Sequence, residues 1–193
     1  MTKIWGPMGW MTLHSISICY PDEPTQSDKQ ILEDYMNAFS ATISCPSCKQ
    51  HFSTMFSQYK QGVPTWNNSK KDLFLAMCRM HNTVNKRLIK PTPKTVEECL
   101  MFIKNAISYT SLFVFRKNYI EYLQKEWRIQ GKHNLYNVEK MKKINEEYWN
   151  PRETSVSSVT FPEEDVLTYP TQHTIIPIRY KMVGFGFNRR RQV

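Results

Sequence analysis

The chain has 193 residues, of which 40% are hydrophobic and 13% aromatic, which is enough for a substantial core. Its 26 Lys and Arg against 17 Asp and Glu give a formal net charge of +9, which permits an acidic partner without naming one. The six glycines form neither a GxGxxG nor a GxxxxGKS/T sequence, so nucleotide-binding loops of those two kinds are excluded.

Membrane and secretory segments are not expected. No run approaches the roughly 18 apolar residues that a spanning helix needs, and the first ten residues, MTKIWGPMGW, lack the uninterrupted apolar core of a secretory signal. Basic residues are spread along the chain, and Arg189–Arg191 form its one compact basic run. This distribution favours a generally basic surface over a dedicated face for nucleic acid.

Apolar residues at helical spacing predict a bundle over the first 107 residues. In chain order we expect a first helix around Trp10–Tyr20, a second from Ser27 to about Ile43, a third from Pro46 to Tyr59, a fourth from Ser69 to Leu88, and a short fifth after Thr95. Ser27 and Thr95 are the expected N-caps. The predicted fold is therefore all-α, a four-helix bundle with a short fifth helix.

The remainder of the chain has a different composition. Residues 112–149 are rich in Phe, Tyr, Lys and Glu and predict two helical pieces that are broken near Gly131. Residues 150–193 predict irregular chain or short strands, of which 174–180 is the most alternating. We expect a domain at 1–107 and a C-terminal extension of unknown fold at 108–193.

The five cysteines include a Cys45-Pro-Ser-Cys48 sequence at the start of a predicted helix. One interpretation is a redox disulfide, because a helix N-terminus stabilises a thiolate. A second is a zinc site, in which Cys78 and His81 complete a Cys3His ligand set. Coincidence is the third, and the spacing alone leaves all three open.

A polar stripe on the predicted fourth helix adds a second motif. Cys78, His81, Asn82 and Asn85 recur at i, i+3, i+4 and i+7, so they share one face. An ordinary polar face would explain one such residue, but three imidazole or amide groups in register, followed by Lys86 and Lys90, favour a cofactor wall with a phosphate end. On the first helix, Trp10 and His14 are also four residues apart and suit either core packing or a planar heterocycle.

Together these motifs resemble the Erv/ALR family of FAD-linked sulfhydryl oxidases, most closely its members from large DNA viruses. The resemblance runs from residue 4 to about 92 and rests on three motifs in order: WGPMGWMTLH followed by Tyr20-Pro21, the CPSC sequence followed by Phe52, and HNTVN followed by Lys90-Pro91. It implies a helical bundle that holds FAD, which fits the missing glycine-rich loops.

The resemblance also implies roles for individual residues. A substrate thiolate would attack Cys45, and Cys48 would pass two electrons to FAD, which would give them to O2 and produce H2O2. The residues that match cofactor-binding positions, or lie beside them, are Gly6, Trp10, His14, Cys48, His51, His81, Asn82, Asn85, Lys86, Leu88 and Lys90.

Partners follow from the same resemblance. Outside CPSC the cysteines form no second CxxC or CxC, so a shuttle dithiol within this chain is in doubt and the expected substrate is a separate dithiol protein, such as a thioredoxin-like one. We expect a homodimer through the first two helices and a location in the cytoplasm of a host cell, with packaging in a virion as a further expectation. A structural Cys78–Cys99 disulfide and two free thiols both remain open, and Cys19 is expected to be a small buried residue.

Overall fold

The chain folds as a set of helices. The computed structural model describes residues 2–164 and 166–167, so the segment at 174–180 lies outside the described residues. The helices are α1 Thr2–Cys19, α2 Gln26–Thr42, α3 Pro46–Gly62, α4 Lys70–Arg87, α5 Val96–Ala106, α6 Leu112–Ile129 and α7 Leu135–Ile144. A π-helical turn at Asn145–Trp149 and two 3-10 turns, Asn150–Arg152 and Val156–Ser158, follow α7. No strand occurs in this part of the chain, and the all-α prediction is confirmed.

The helix ends show which capping signals the chain uses. α5 begins after Thr95, as predicted, with the Thr95 hydroxyl accepting the Glu98 N–H at 3.2 Å. The prediction of Ser27 as the cap of α2 is wrong, because Thr25 is the N-cap. Thr25 and Asp28 form a reciprocal capping box, in which each side chain accepts the backbone N–H of the other residue.

Helix α1 is the central helix of the fold. Every residue from Gly9 to Tyr20 is buried, although this stretch contains polar as well as apolar side chains. α1 packs against α4 on the side of the predicted bundle and against α6 of the extension, while α7 packs against α2. Gly9 permits a close approach, because a Cβ there would lie 3.3 Å from Phe39 Cζ and 3.5 Å from Tyr119 Cζ.

A buried arginine joins the extension to α1. Arg116 is 1% exposed, and its Nη1 donates to Ser15 Oγ at 3.3 Å. Its Nη2 donates to Asn150 Oδ1 at 3.0 Å and to Glu153 Oε2 at 3.1 Å. A buried charge is stable only when it is paired and hydrogen-bonded, so these contacts fix α6, the turns after α7 and α1 relative to one another.

An aromatic cluster joins the extension to α2. The fully buried Trp149 meets the edge of Tyr35 at a ring distance of 5.9 Å and lies 6.4 Å from Tyr20. The neighbouring Tyr148 hydroxyl donates to the Asp28 carboxylate, the same group that caps α2. The extension therefore contributes large aromatic area to the core that the first helices build.

These contacts bear on two predictions. One hydrophobic core extends from Trp10 on α1 to Val166 and includes side chains of α6 and α7, so the segments on either side of residue 107 share it. The proposed boundary itself stays a prediction. The homodimer through the first two helices also stays a prediction, but α1 offers a second copy no exposed face between Gly9 and Tyr20.

Membrane-spanning character is not found among the helices of the described residues. None of them combines the length and the apolar character that crossing a membrane requires.

We expect Arg116→Met to lower the free energy of unfolding by about 2–4 kcal/mol, because it removes the buried charge and leaves the groups that it bonded without their donor. Urea unfolding measures the loss. Lys117→Gln is the control, since Lys117 forms a 3.9 Å pair with Glu121 in which both side chains are more than half exposed. Its expected change is within about 0.5 kcal/mol. Equal losses in the two variants would contradict a structural role for the Arg116 contacts.

Candidate active site

A cavity of about 870 Å³ opens between α1, α3, α4 and α5. This volume lies in the range of small-molecule and cofactor sites. Most of the cofactor residues predicted from the sequence line it, namely Gly6, Trp10, His14, Cys48, His51, His81, Asn82, Asn85, Leu88 and Lys90. The structure thus brings together residues from three helices, α1, α3 and α4, and from the segment after α4, and their role as cofactor ligands stays a prediction.

Lys86 is the exception among the predicted residues. It is exposed and does not line the cavity, whereas its neighbour Arg87 does. Lys86 follows Asn82 by four residues, but α4 ends one residue later at Arg87, so the regular i, i+4 spacing no longer fixes which side chains face the cavity there. The basic residues at this end of the cavity are therefore Arg87 and Lys90.

Two histidines and a tryptophan form one wall. His14 Nε2 and His81 Nδ1 lie 3.0 Å apart, so one ring donates a hydrogen bond and the other accepts it. The Trp10 ring stacks on His81, with a centroid distance of 4.4 Å and an interplanar angle of 7°. The i, i+4 spacing of Trp10 and His14 on α1 brings both rings to the side where α4 presents His81.

Burial keeps both imidazoles neutral near pH 7. It lowers the pKa of His14 well below the ordinary value, with a smaller contribution from the neighbouring His81. Burial also lowers the pKa of His81 to about 4, with a further contribution from the charge of Lys90. In the neutral pair, each ring keeps one nitrogen outside the hydrogen bond between them. That nitrogen can donate to or accept from a polar ligand.

The cavity wall has features that suit a flavin dinucleotide. His14 Nδ1 and Trp5 Nε1 are buried polar atoms with no hydrogen-bond partner in the described part of the chain, and such atoms call for one. A Cβ added at Gly6 would meet no atom within 4 Å, so the wall there leaves open space. Aromatic Trp10 suits a planar ring, and the Arg87–Lys90 end suits phosphates. The residues present therefore fit FAD.

A disulfide lies at one edge of this cavity. Cys45 and Cys48 are bonded, with a Cα–Cα distance of 5.2 Å. Cys45 is the N-cap of α3, and its sulfur accepts the Cys48 N–H at 3.3 Å. Cys48 lines the cavity, whereas Cys45 does not and instead lies 3.4 Å from the hydroxyl of exposed Ser47. The two sulfurs thus have different surroundings, one towards the cavity and one towards solvent.

The zinc hypothesis is not supported by this geometry. Cys45 and Cys48 are bonded to each other, and a disulfide sulfur is not a thiolate ligand. Within the ranges 2–164 and 166–167, no three His, Cys, Asp or Glu side chains are grouped so that they could hold a metal ion. The interpretation of CPSC as a redox pair is the one that the geometry favours.

Comparison with known proteins gives the family. The Erv1 / Alr family model matches residues 7–106. The chain belongs to the Erv1 / Alr family. African swine fever virus has a relative, an FAD-linked sulfhydryl oxidase, that is 34% identical over 86 residues, which are 45% of this chain and 69% of the relative.

Cellular relatives match over the same length. The mitochondrial FAD-linked sulfhydryl oxidase ERV1 of Saccharomyces cerevisiae is 34% identical over 45% of this chain and 43% of its own length. The FAD-linked sulfhydryl oxidase ERV1 of Oryza sativa is 31% identical over 45% of this chain and 42% of its own length. The chain thus spans less than half of these two relatives, and the match leaves more than half of this chain uncovered.

The other cysteines lie inside the fold. Cys78 and Cys99 are 1% and 5% exposed, and both line the cavity. Their thiols are close enough to hydrogen-bond, and burial, followed by Cys99, raises the pKa of Cys78 well above its ordinary value. The structure has them as free thiols, so it does not bear out the Cys78–Cys99 bridge that the Erv/ALR pattern suggested. Cys19 is buried, as expected, and its sulfur accepts a hydrogen bond from Arg116 Nη1 at 3.6 Å.

Sequence reasoning missed the part of the cavity that α5 supplies. Met101, Phe102 and Asn105 line the cavity, and Met101 and Phe102 are about half exposed. A signal was present, because a short helix with the sequence CLMFI carries more apolar residues than one buried stripe needs. Asn82 on α4 donates to the carbonyl of Pro93, in the connection that leads to α5, at 2.7 Å.

The neutral histidines predict a dependence of stability on pH. The folded pKa of His81, about 4, lies below 6.5, so the unfolded chain binds this proton first as the pH falls. The stability present above pH 6.5 is therefore lost progressively down to about pH 4, at roughly 1.4 kcal/mol per pH unit. Between pH 7.5 and 5.0 we expect a loss of about 2 kcal/mol from His81, measured by urea unfolding.

His81→Gln provides the control for this measurement. It keeps a polar side chain but cannot titrate, so stability should fall less steeply between the same two pH values. If the variant and the unmodified chain lose the same free energy over that range, the neutral buried state of His81 is wrong.

Proposed function

We propose that this chain is an FAD-dependent sulfhydryl oxidase that forms disulfide bonds in partner dithiol proteins. The observation that carries the proposal is the Cys45–Cys48 disulfide, with Cys48 on the wall of a cofactor-sized cavity. The names of the relatives support the same activity. FAD would accept two electrons from the dithiol and pass them to O2, which yields H2O2.

The chain's own residues would hold the cofactor. Trp10 and His81 offer stacked and planar faces, and His14 offers an unpartnered ring nitrogen. Arg87 and Lys90 offer positive charge to the pyrophosphate. Phe52, whose ring lies 6.2 Å from that of Trp10, adds a buried apolar surface to the same wall. These groups would orient the dinucleotide and exclude solvent.

The first chemical step would be attack by a substrate thiolate on the sulfur of Cys45. A bond forms between the two sulfurs, the Cys45–Cys48 bond breaks, and Cys48 leaves as a thiolate beside the cavity. A second substrate thiolate then attacks the mixed disulfide and releases Cys45. The substrate has lost two electrons and become a disulfide, and the two electrons reside on the Cys45–Cys48 dithiol.

The start of α3 would assist both steps. Cys45 is the N-cap, and the Cys48 N–H points to its sulfur at 3.3 Å. The unpaired N–H groups and the positive end of the helix stabilise negative charge on sulfur at this position. Pro46 occupies the first helical position, where an N–H would have no partner within the helix and where the fixed φ of proline suits the helix start.

The proposed substrate is a separate dithiol protein, such as a thioredoxin-like one. Cys19, Cys78 and Cys99 are buried, which leaves the exposed side of the disulfide open to an external thiol. We also propose the host-cell cytoplasm as the location, with packaging in a virion as an extension of that idea, since some relatives belong to large DNA viruses. The homodimer through the first two helices stays a prediction. Residues 9–20 are buried, so this stretch offers no exposed surface to a second copy.

The test combines an absorption spectrum with oxygen consumption. We expect the purified full chain to carry the visible absorption band that gives bound flavin its yellow colour, and to consume O2 and form H2O2 with dithiothreitol. Cys48→Ser should abolish turnover while the flavin stays bound, because no thiolate then lies beside the cavity. Cys45→Ser should likewise stop oxidation of a reduced thioredoxin.

Cys19→Ala is the matched control, because it removes a buried thiol that does not line the cavity. It should oxidise dithiothreitol at nearly the rate of the unmodified chain. A purified chain without flavin would defeat the proposal, and so would a Cys48→Ser variant that turns over normally.

A further inference from the structure

The segment between α2 and the disulfide is short. α2 ends at Thr42, and only Ile43 and Ser44 separate it from Cys45. The last four carbonyls of a helix have no partner within the helix, so they need donors from elsewhere. Whatever binds those carbonyls also fixes where the next few residues lie, and here the next residues carry the redox disulfide.

The donor to the last carbonyl of α2 comes from the extension. Trp127, on α6, is 4% exposed, and its Nε1–H donates to Thr42 O at 3.0 Å. The bond is buried and joins residues that are 85 positions apart in the sequence. On its other side the indole meets the edge of the His133 ring at a centroid distance of 4.6 Å.

Further contacts hold the same segment. Thr42 Oγ1 lies 3.6 Å from Met141 Sδ on α7, and Lys49 Nζ on α3 donates to Ala41 O at 3.1 Å. Burial raises the pKa of Tyr122 on α6, and the side chain of Ser44 opposes the rise. The connection to Cys45 is therefore held by α3 on one side and by the extension on the other.

We propose that Trp127 is a positioning residue for the redox disulfide. By holding the Thr42 carbonyl, it fixes the direction in which the chain leaves α2, and so the orientation of Cys45 towards an incoming thiolate. The attack needs the incoming sulfur in line with the Cys45–Cys48 bond, so a small displacement of the segment slows it. The role in turnover rests on the proposed thiol oxidase function.

Trp127→Phe tests the proposal in the full-length, flavin-loaded chain. It keeps a buried aromatic ring and removes the N–H donor. We expect kcat/KM for dithiothreitol to fall about tenfold, because misplacement of reacting groups alone has effects of that order or larger. The flavin absorbance per chain should not change. Hydrogen exchange should increase in residues 41–48 and stay unchanged in α4.

Trp149→Phe is the matched control. Trp149 is also a buried tryptophan of the extension, but its Nε1 has no hydrogen-bond partner in the described part of the chain. Replacing Trp149 with Phe removes no hydrogen bond. Trp149 packs against Tyr20 and Tyr35, not against the segment between α2 and Cys45. It should leave both kcat/KM and the exchange of residues 41–48 as in the unmodified chain.

Tyr122→Phe is a second variant that keeps the protein folded should Trp127→Phe fail to do so, because it removes only a hydroxyl from a half-buried side chain. A smaller loss of kcat/KM, with faster exchange in the same segment, supports the proposal. Unchanged turnover and exchange in both variants would overturn it, and so would parallel losses in Trp127→Phe and Trp149→Phe. If the unmodified chain lacks flavin or does not oxidise dithiols, the proposed function is wrong. The hydrogen-exchange data still test whether Trp127 holds residues 41–48 in place.

Discussion

The burial of α1 from Gly9 to Cys19 is the constraint on which the rest of the structure depends. Over this stretch the helix is covered, with α4 on one side and α6 on the other. The α4 side carries Trp10 and His14 into the cavity wall, and the α6 side receives Arg116. A single helix therefore links the cofactor site to the C-terminal extension.

The packing of the extension on α1 also explains why the extension reaches the redox disulfide. α6 follows α1 along its length and then continues past the end of α2, where Trp127 meets the last carbonyl of that helix. α7 returns along α2 and places Met141 on Thr42. The family match stops at residue 106, so the helices that complete the core and hold the disulfide segment lie outside it.

Much of the bundle could be predicted from the sequence, because local signals determine it: apolar spacing, caps and proline breaks. The cavity residues on α1 and α4 were predictable for the same reason, since i, i+3 and i+4 spacing fixes their shared faces. What local patterns could not give is which helices meet. The contact of Arg116 with Ser15 and that of Trp127 with Thr42 join residues about 100 and 85 positions apart, and no periodicity encodes them. Lys86, whose cofactor role stays a prediction, does not line the cavity, because α4 ends at Arg87 and helical spacing no longer fixes the face there.

The extension completes the fold around α1 and is not an appendage. The most direct measurement is the thermal unfolding midpoint and sedimentation mass of a chain that ends at residue 107, compared with those of the full 193-residue chain. We expect the shortened chain to lose the folded, flavin-binding, single-chain state, because the α6 side of α1 is then exposed. A monomeric fragment that unfolds at the same temperature as the full chain and keeps its flavin would contradict it.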